Sequence, residues 1–280
     1  MQNNYEKITE QIKKIAKELL EKEEVEKVAG FALGEFTEEA TPVFIKKPDD
    51  AQKLIFNQDC STMLSKYLLD YPDKKVGIVA KPCETRALAS YISEGMLKRE
   101  NLIVIGINGC PGIANNTACD ECEVHNAVIA DYEAGEKVNE DDIKKKENKL
   151  DSMTREERKE YFQEEFSRCT RCYSCREACP VCYCEKCFVE SNQPFWLSNS
   201  TQLDDNFTFH LMRSMHMTGR CVNCGACEMA CPEGIDVRAL SAKLYRSAKE
   251  IFDYSPGMDT DQKTLLTEYD INDNQPGFLD

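Results

Sequence analysis

The chain has 280 residues, with 50 acidic against 35 basic side chains and a formal charge of −15. That balance excludes a nucleic-acid backbone or an anionic membrane surface as a favoured partner, since both would repel it. No run approaches eighteen apolar residues and residues 1–13 lack the apolar stretch of a secretory signal, so the sixteen cysteines are expected as thiols in a soluble, cytoplasmic protein with no membrane span.

In chain order, residues 5–28 place Ile8, Ile12, Ile15, Leu19 and Leu20 at helical spacing among lysines and glutamates, which predicts one amphipathic helix. Residues 28–33 and 42–45 are apolar enough for two strands of a hairpin or sheet edge, joined by an acidic turn at 35–39. Residues 50–71 carry a short apolar run at 54–56, then a junction with Cys60 and a helix capped by Asp59 or Ser61. Cys60 would then stand at a helix mouth, where a thiol pKa falls, or else be an inert core residue.

Residues 76–80 and 102–107 are short, continuous apolar runs, as parallel strands buried on both faces must be, with a helix at 84–93 between them. A right-handed crossover puts both following loops at one sheet edge. Open parallel sheets bind ligands at the carboxyl ends of their strands, and there stand Cys83 and Cys110, with Cys119 and Cys122 close behind. These four cysteines make a third cluster site, with Cys60 as a competing ligand; zinc is the alternative occupant. Gly106, Gly109 and Gly112 lack the tight turn of the dinucleotide fingerprint, and no phosphate loop occurs. From 131 to 158 the composition turns polar and charged, an exposed linker that sets a boundary. The expected organisation is an α/β domain with a mostly parallel sheet and flanking helices at 1–145, an α-helical dicluster ferredoxin-like domain at 146–257, and an acidic tail at 258–280.

Two cysteine runs organise the second half. Cys169, Cys172, Cys175 and Cys179, closed by Pro180, and Cys221, Cys224, Cys227 and Cys231, closed by Pro232, both read C-x2-C-x2-C-x3-C-P. That spacing wraps three thiolates around one 4Fe–4S cubane and sends the fourth to its neighbour. Crossed ligation gives Cys169, Cys172, Cys175 and Cys231 one cluster, and Cys221, Cys224, Cys227 and Cys179 the other. Structural zinc is the competing reading, but zinc ribbons usually join separated cysteine pairs rather than crowding four into eleven residues.

A helix from about Thr154 runs through Tyr161, Phe162 and Phe166 into Cys169, a second spans 207–218, and a third spans 237–252 with Leu240, Leu244 and Ile251 as its apolar positions. The forty residues between the runs suit a helical dicluster arrangement rather than a compact ferredoxin. Cys182, Cys184 and Cys187 are left over beyond Pro180. They offer a further site, completed by Cys60 or another N-terminal thiol, or else a small zinc site or unligated thiols. His125, His210 and His216 are available as ligands and read more simply as ordinary surface or core histidines.

The run Phe166-Ser-Arg-Cys169-Thr-Arg-Cys172-Tyr-Ser-Cys175-Arg-Glu-Ala-Cys179-Pro-Val-Cys182-Tyr-Cys184, with Lys81-Pro-Cys83-Glu-Thr-Arg-Ala-Leu88 and Arg99-Glu-Asn-Leu-Ile-Val-Ile-Gly106 upstream, resembles the beta-subunit family of deazaflavin-coenzyme hydrogenases and formate dehydrogenases. More narrowly, it resembles the members found beside heterodisulfide-reductase-like subunits in anaerobes. The likeness covers most of residues 25–250. It implies an electron-transferring subunit of a larger oxidoreductase, partnered by hydrogenase, formate dehydrogenase or heterodisulfide-reductase-like subunits. The N-terminal domain of some relatives also holds FAD and meets the deazaflavin. The cluster ligands carry over onto the eight cysteines of the two runs, and less directly onto Cys83, Cys110, Cys119 and Cys122. An iron–sulfur conduit is thus the leading expectation, with a flavoenzyme reducing a deazaflavin or disulfide and a zinc-stabilised interaction module as alternatives.

Overall fold

The computed structural model describes residues 2–34, 39–143 and 149–265. Most of the expected acidic turn at 35–39, five residues of the expected linker and all of the expected tail beyond residue 265 lie outside the described residues. The first half is a mixed, mostly parallel sheet with flanking helices, and the second half is helical.

Helix α1, Gln2–Glu21, buries Ile8, Ile12, Ala16 and Leu19 on one stripe and lies on the sheet, leaving its lysines and glutamates to solvent. Strands β1 (Lys27–Leu33) and β2 (Ala40–Ile45) pair antiparallel, with Val28 opposite Ile45. The other edge of β1 is divided: Lys27–Ala29 pairs parallel with β4 (Val76–Ala80), and Phe31–Ala32 pairs antiparallel with the two-residue β3 (Leu54–Ile55). Helix α2, Pro82–Ser93, carries the chain from β4 to β5 (Leu102–Ile107), which pairs parallel with β4. Every residue of β4 is buried, as a strand covered on both faces requires.

Two expectations for this half are corrected. The exposed linker expected from residue 131 begins instead as a strand, β6 (Tyr132–Ala134), parallel to β5 and with Ala134 fully buried. Three residues are too few to show a period of two, and the Asp131 carboxylate that starts the strand accepts from Val104 N at 2.8 Å and Arg99 at 2.7 Å. The helix expected after Cys60 is also absent. Its place is taken by an irregular turn and a 3-10 stretch, Leu64–Asp70. A buried ion pair at the start of α2 supplies the partners a helix would have given: Lys81 Nζ donates to the carbonyls of Cys60 (2.7 Å) and Thr62 (2.9 Å), and Glu84 accepts from Leu64 N.

The single turn α3 (Thr117–Asp120) lies between β5 and β6, and the second half opens on α4 (Arg155–Ser167), which starts on a capping box between Thr154 and Glu157. Single turns α5 (Ser174–Glu177) and α7 (Ala226–Met229) sit within the cysteine runs and pack on each other. Helices α6 (Leu203–His216) and α8 (Ala239–Phe252) enclose them, with Phe162, Phe166, Phe209, Ile235 and Val237 as the core. Among the described residues no helix is long and apolar enough to cross a membrane.

The two halves meet along a polar seam. Buried Arg86 on α2 donates to Pro256 O (2.8 and 3.0 Å) and Val222 O (3.3 Å), Asn116 Nδ2 donates to Cys224 O (2.9 Å), and Arg238, held in its own half by Glu228 at 3.1 Å, pairs across the seam with Glu121 at 3.0 Å. Tyr91 donates to the carbonyl of Pro180, the residue that closes the first cysteine run.

Candidate metal centres

The two runs share a backbone device. The residues on either side of the second cysteine are left-handed in both: Arg171 (φ 58°) and Tyr173 (φ 62°) around Cys172, and Asn223 (φ 55°) and Gly225 (φ 76°) around Cys224. A non-glycine residue there costs on the order of 1–3 kcal/mol and persists only where its surroundings over-determine it. Repeated twice at matching positions, the twist coils each short loop so that successive cysteines face one centre, and a single helical turn then carries the third cysteine inward.

The structure brings Cys169, Cys172, Cys175 and Cys231 around one void, ring A. Cys179, Cys221, Cys224 and Cys227 surround a second, ring B. The fourth cysteine of each run therefore stands with the other run's first three. Cys83, Cys110, Cys119 and Cys122 line a third void, ring N, at the carboxyl ends of β4 and β5. Cys60 does not join them. It is fully buried in the turn before Leu64, its Sγ engaged with Asn57 N and Oδ1 at 3.4 Å each, and burial pushes its thiol up to about 11. Without a helix N-terminus behind it, the expected lowering gives way to desolvation.

Burial governs the other thiols too. It holds Cys83 and Cys224 well above the ordinary thiol range and pushes Cys110, Cys175 and Cys221 up to about 12. Cys172, near solvent and bonded to Ser174, is lowered. Buried thiols of this kind become thiolates only against a metal, whose charge deprotonates them. The donor sets fit a group larger than one ion. Four thiols line each of the three voids, and an all-sulfur donor set suits an iron–sulfur group. Backbone N–H groups also point at the sulfurs: Arg171 N at Cys169 (3.4 Å), Ile235 N at Cys231 (3.4 Å) and Ile113 N at Cys119 (3.3 Å).

Three polar side chains that the cysteine spacing does not mark complete the site. Arg213 of α6 is 4% exposed, donates from one terminal nitrogen to Cys175 O (2.9 Å), and keeps Nε without a protein partner. Burial works against its charge, but Cys179, Cys227, Cys175 and Cys182 around it prevail and hold the guanidinium above its ordinary pKa. His210, one turn earlier, stacks on Phe166 at 4.4 Å with Nε2 3.3 Å from Cys169 Sγ; burial, then Arg213, press its pKa down to about 3, so the ring is neutral. His125 lies in the wall of ring N, its ring nitrogens 3.1 and 3.3 Å from the carbonyls of Cys110 and Cys122.

Rings N and B are neighbours, since Cys224 lines both voids. The contact is close: a Cβ on Gly225 would collide with Asn116 Oδ1 and come within 2.8 Å of Ala118 Cβ. Gly225→Ala is therefore expected to lower stability by about 1–3 kcal/mol, from the positive φ and the clash. A denaturant midpoint equal to that of the parent chain would count against this packing. The three leftover cysteines, Cys182, Cys184 and Cys187, stand apart from all three voids and line a separate cleft between the two halves.

A mostly parallel sheet presenting thiols at its carboxyl edge, followed by paired cysteine runs in a helical half, defines an iron–sulfur electron-transfer protein of oxidoreductase type. A family model described as a 4Fe-4S binding domain matches residues 216–235, which contain the second run. The F420-dependent formate dehydrogenase subunit beta of Methanocaldococcus jannaschii is 22% identical over an alignment of 354 residues, covering 89% of this chain and 92% of that protein. The F420-dependent formate dehydrogenase 1 subunit beta of Methanococcus maripaludis is 23% identical over 107 residues, 38% of this chain and 27% of that protein. The chain is thus similar to the beta subunits of F420-dependent formate dehydrogenases, over most of its length in the first of these relatives.

Proposed function

We propose that this chain is the electron-conducting subunit of a multi-subunit anaerobic oxidoreductase, passing electrons along rings N, B and A. Cys83, Cys110, Cys119 and Cys122 hold one 4Fe–4S cluster, Cys179, Cys221, Cys224 and Cys227 the next, and Cys169, Cys172, Cys175 and Cys231 the last. The carrying observation is contiguity. Cys224 belongs to the walls of both N and B, and Arg213 neighbours thiols of both B and A. When bound, each cubane supplies a one-electron couple whose potential follows burial, charge and hydrogen bonds to sulfur.

The chain's own residues set those terms. Phe166, Phe209, Val222 and Ile113 exclude water, the N–H groups of Arg171, Ile235 and Ile113 face sulfurs, and Arg213 supplies positive charge. In this reading residues 1–145 form the domain that carries ring N, residues 146–257 the dicluster domain, and the acidic stretch 258–280 a tail. The relatives' names make other subunits of a formate dehydrogenase the natural partners, and the resemblance of the cysteine runs extends the choice to hydrogenase or heterodisulfide-reductase-like subunits.

Iron and acid-labile sulfide analysis of anaerobically prepared chain, with paramagnetic resonance after reduction, tests the proposal. Cys83→Ser is expected to lose about four irons and about four sulfides while keeping the resonances of A and B. An oxygen-free preparation with no labile sulfide and no resonance on reduction would overturn the reading.

A further inference from the structure

A cleft of about 1060 Å³ opens between the 61–70 segment of the first half and the stretch that follows Pro180. Cys182, Cys184 and Cys187 line it and line none of the three rings. All three are free thiols, Cys182 half-buried and Cys184 exposed. The C-x-C-x2-C spacing crowds them into six residues, and Tyr183 between the first two pins the segment to α2 by donating to Glu94 and packing edge-on against Tyr91 at 5.7 Å.

The charges around the cleft balance. Lys66, Arg176, Lys186 and Arg213 face Asp70, Glu177, Glu185 and Glu190, with Arg176 paired to Glu177 at 2.8 Å and Glu190 at 2.9 Å. The cleft therefore offers no net charge to draw an anionic or cationic substrate, and the thiols are its distinctive chemistry. Its floor is shared with the other centres. Arg213 and Met217 line both the cleft and ring B, and Phe209 lines both the cleft and ring A.

We propose that Cys182, Cys184 and Cys187 hold a fourth iron–sulfur cluster, a three-thiolate 4Fe–4S centre whose remaining iron faces the open cleft. The inference rests on the reading of rings A and B as cluster sites, because the shared floor is what connects this centre to an electron route. Each thiol gives up its proton to solvent as it ligates iron. A cubane with three protein thiolates leaves one iron able to take an exogenous ligand, and a cleft of this size admits a small thiol beside it. The ligand class the site would take is accordingly a thiol or thiolate, bound at iron with loss of its proton.

The test compares the full chain, the triple variant Cys182→Ser, Cys184→Ser, Cys187→Ser, and the single variant Cys184→Ser, which replaces an exposed side chain and so spares the packing. The triple variant is expected to lose about four irons and about four sulfides and to keep the reduced-state resonances of A and B. Added 2-mercaptoethanol is expected to shift one resonance of the parent chain and none of the triple variant. Cys184→Ser alone is expected to alter or abolish that same resonance. Full iron retention in the triple variant, or loss of zinc rather than iron on the triple substitution, would overturn the fourth cluster. A failure of the underlying reading shows differently, as a Cys175→Ala chain that loses no iron.

Discussion

Replacement of Cys175 by alanine is expected to remove about four irons and about four sulfides per chain while the N-terminal sheet stays folded. Cys175 is 7% exposed and lies in the turn α5, where it forms part of the wall of ring A. The histidine in the wall of ring A, His210, is already placed against Cys169 and stacked on Phe166, so it cannot swing in without unpacking the core. Three thiolates would remain around a void of about 20 Å³, without the room that the open cleft offers for an exogenous fourth ligand, so the cluster is lost. The sheet has its own core of Ile78, Val104, Ile105 and Leu88, to which no ring A residue contributes. Its thermal transition should therefore shift little while the iron content falls. A variant with full iron and sulfide would remove Cys175 from the ligand set, and a collapsed α/β half would show that ring A supports the first half.

How much of this was legible in the sequence depends on whether a feature repeats locally. Ile8, Ile12, Ala16 and Leu19 recur at helical spacing, the strands Val76–Ala80 and Leu102–Ile107 are unbroken apolar runs, and the cysteine runs carry their geometry in their spacing. Those elements fall close to their expected places. Strand Tyr132–Ala134 was not legible because three residues carry no period; only its parallel partner β5 defines it. The turn at Cys60 was misread as a helix start because its backbone is held by Lys81 and Glu84, some twenty residues on. A local capping signal cannot report a partner at that distance.

Arg213 was missed, and His210 was read as an ordinary histidine though available as a ligand, for a related reason, since each matters through thiols that spacing alone does not connect to it. One signal was present. Asn206, His210, Arg213 and Met217 recur every three to four residues along α6 on the face that also carries Phe209. Polar residues on the apolar face of a helix are seldom left buried unless something there bonds to them. Asn206 serves the carbonyls of Phe166 (3.0 Å) and Cys169 (2.9 Å), and the other two face sulfur. The positive-φ residues Arg171 and Tyr173 were equally invisible in composition, and only the matching Asn223 and Gly225 hint that both loops need the same twist.

Arg213→Met should lower the reduction potentials of both the A and the B centres. Reduction adds an electron to a group already ringed by thiolates, and a buried guanidinium beside it stabilises the reduced state more than the oxidised one. Removing a unit charge about 6 Å away at an effective dielectric of about 20 costs on the order of 3 kcal/mol. For a one-electron couple that corresponds to a fall on the order of 100 mV. The methionine fills a similar volume, so the change is mainly one of charge, though it also leaves Cys175 O without its donor at 2.9 Å. Arg213→Lys should restore part of the shift, because it keeps the charge and loses the planar fork. His210→Phe supplies the contrast: it removes a neutral ring beside Cys169 alone, so only the A centre should move, and by less. A redox titration followed by paramagnetic resonance separates the cases. Two centres falling together in Arg213→Met, with one moving in His210→Phe, is the pattern a single cation between two clusters must produce. Unchanged potentials in Arg213→Met would mean that the charge is screened from both rings. A shift in one centre alone would mean that the guanidinium serves only that ring, and the route from B to A would then lack the shared charge that holds their potentials in step.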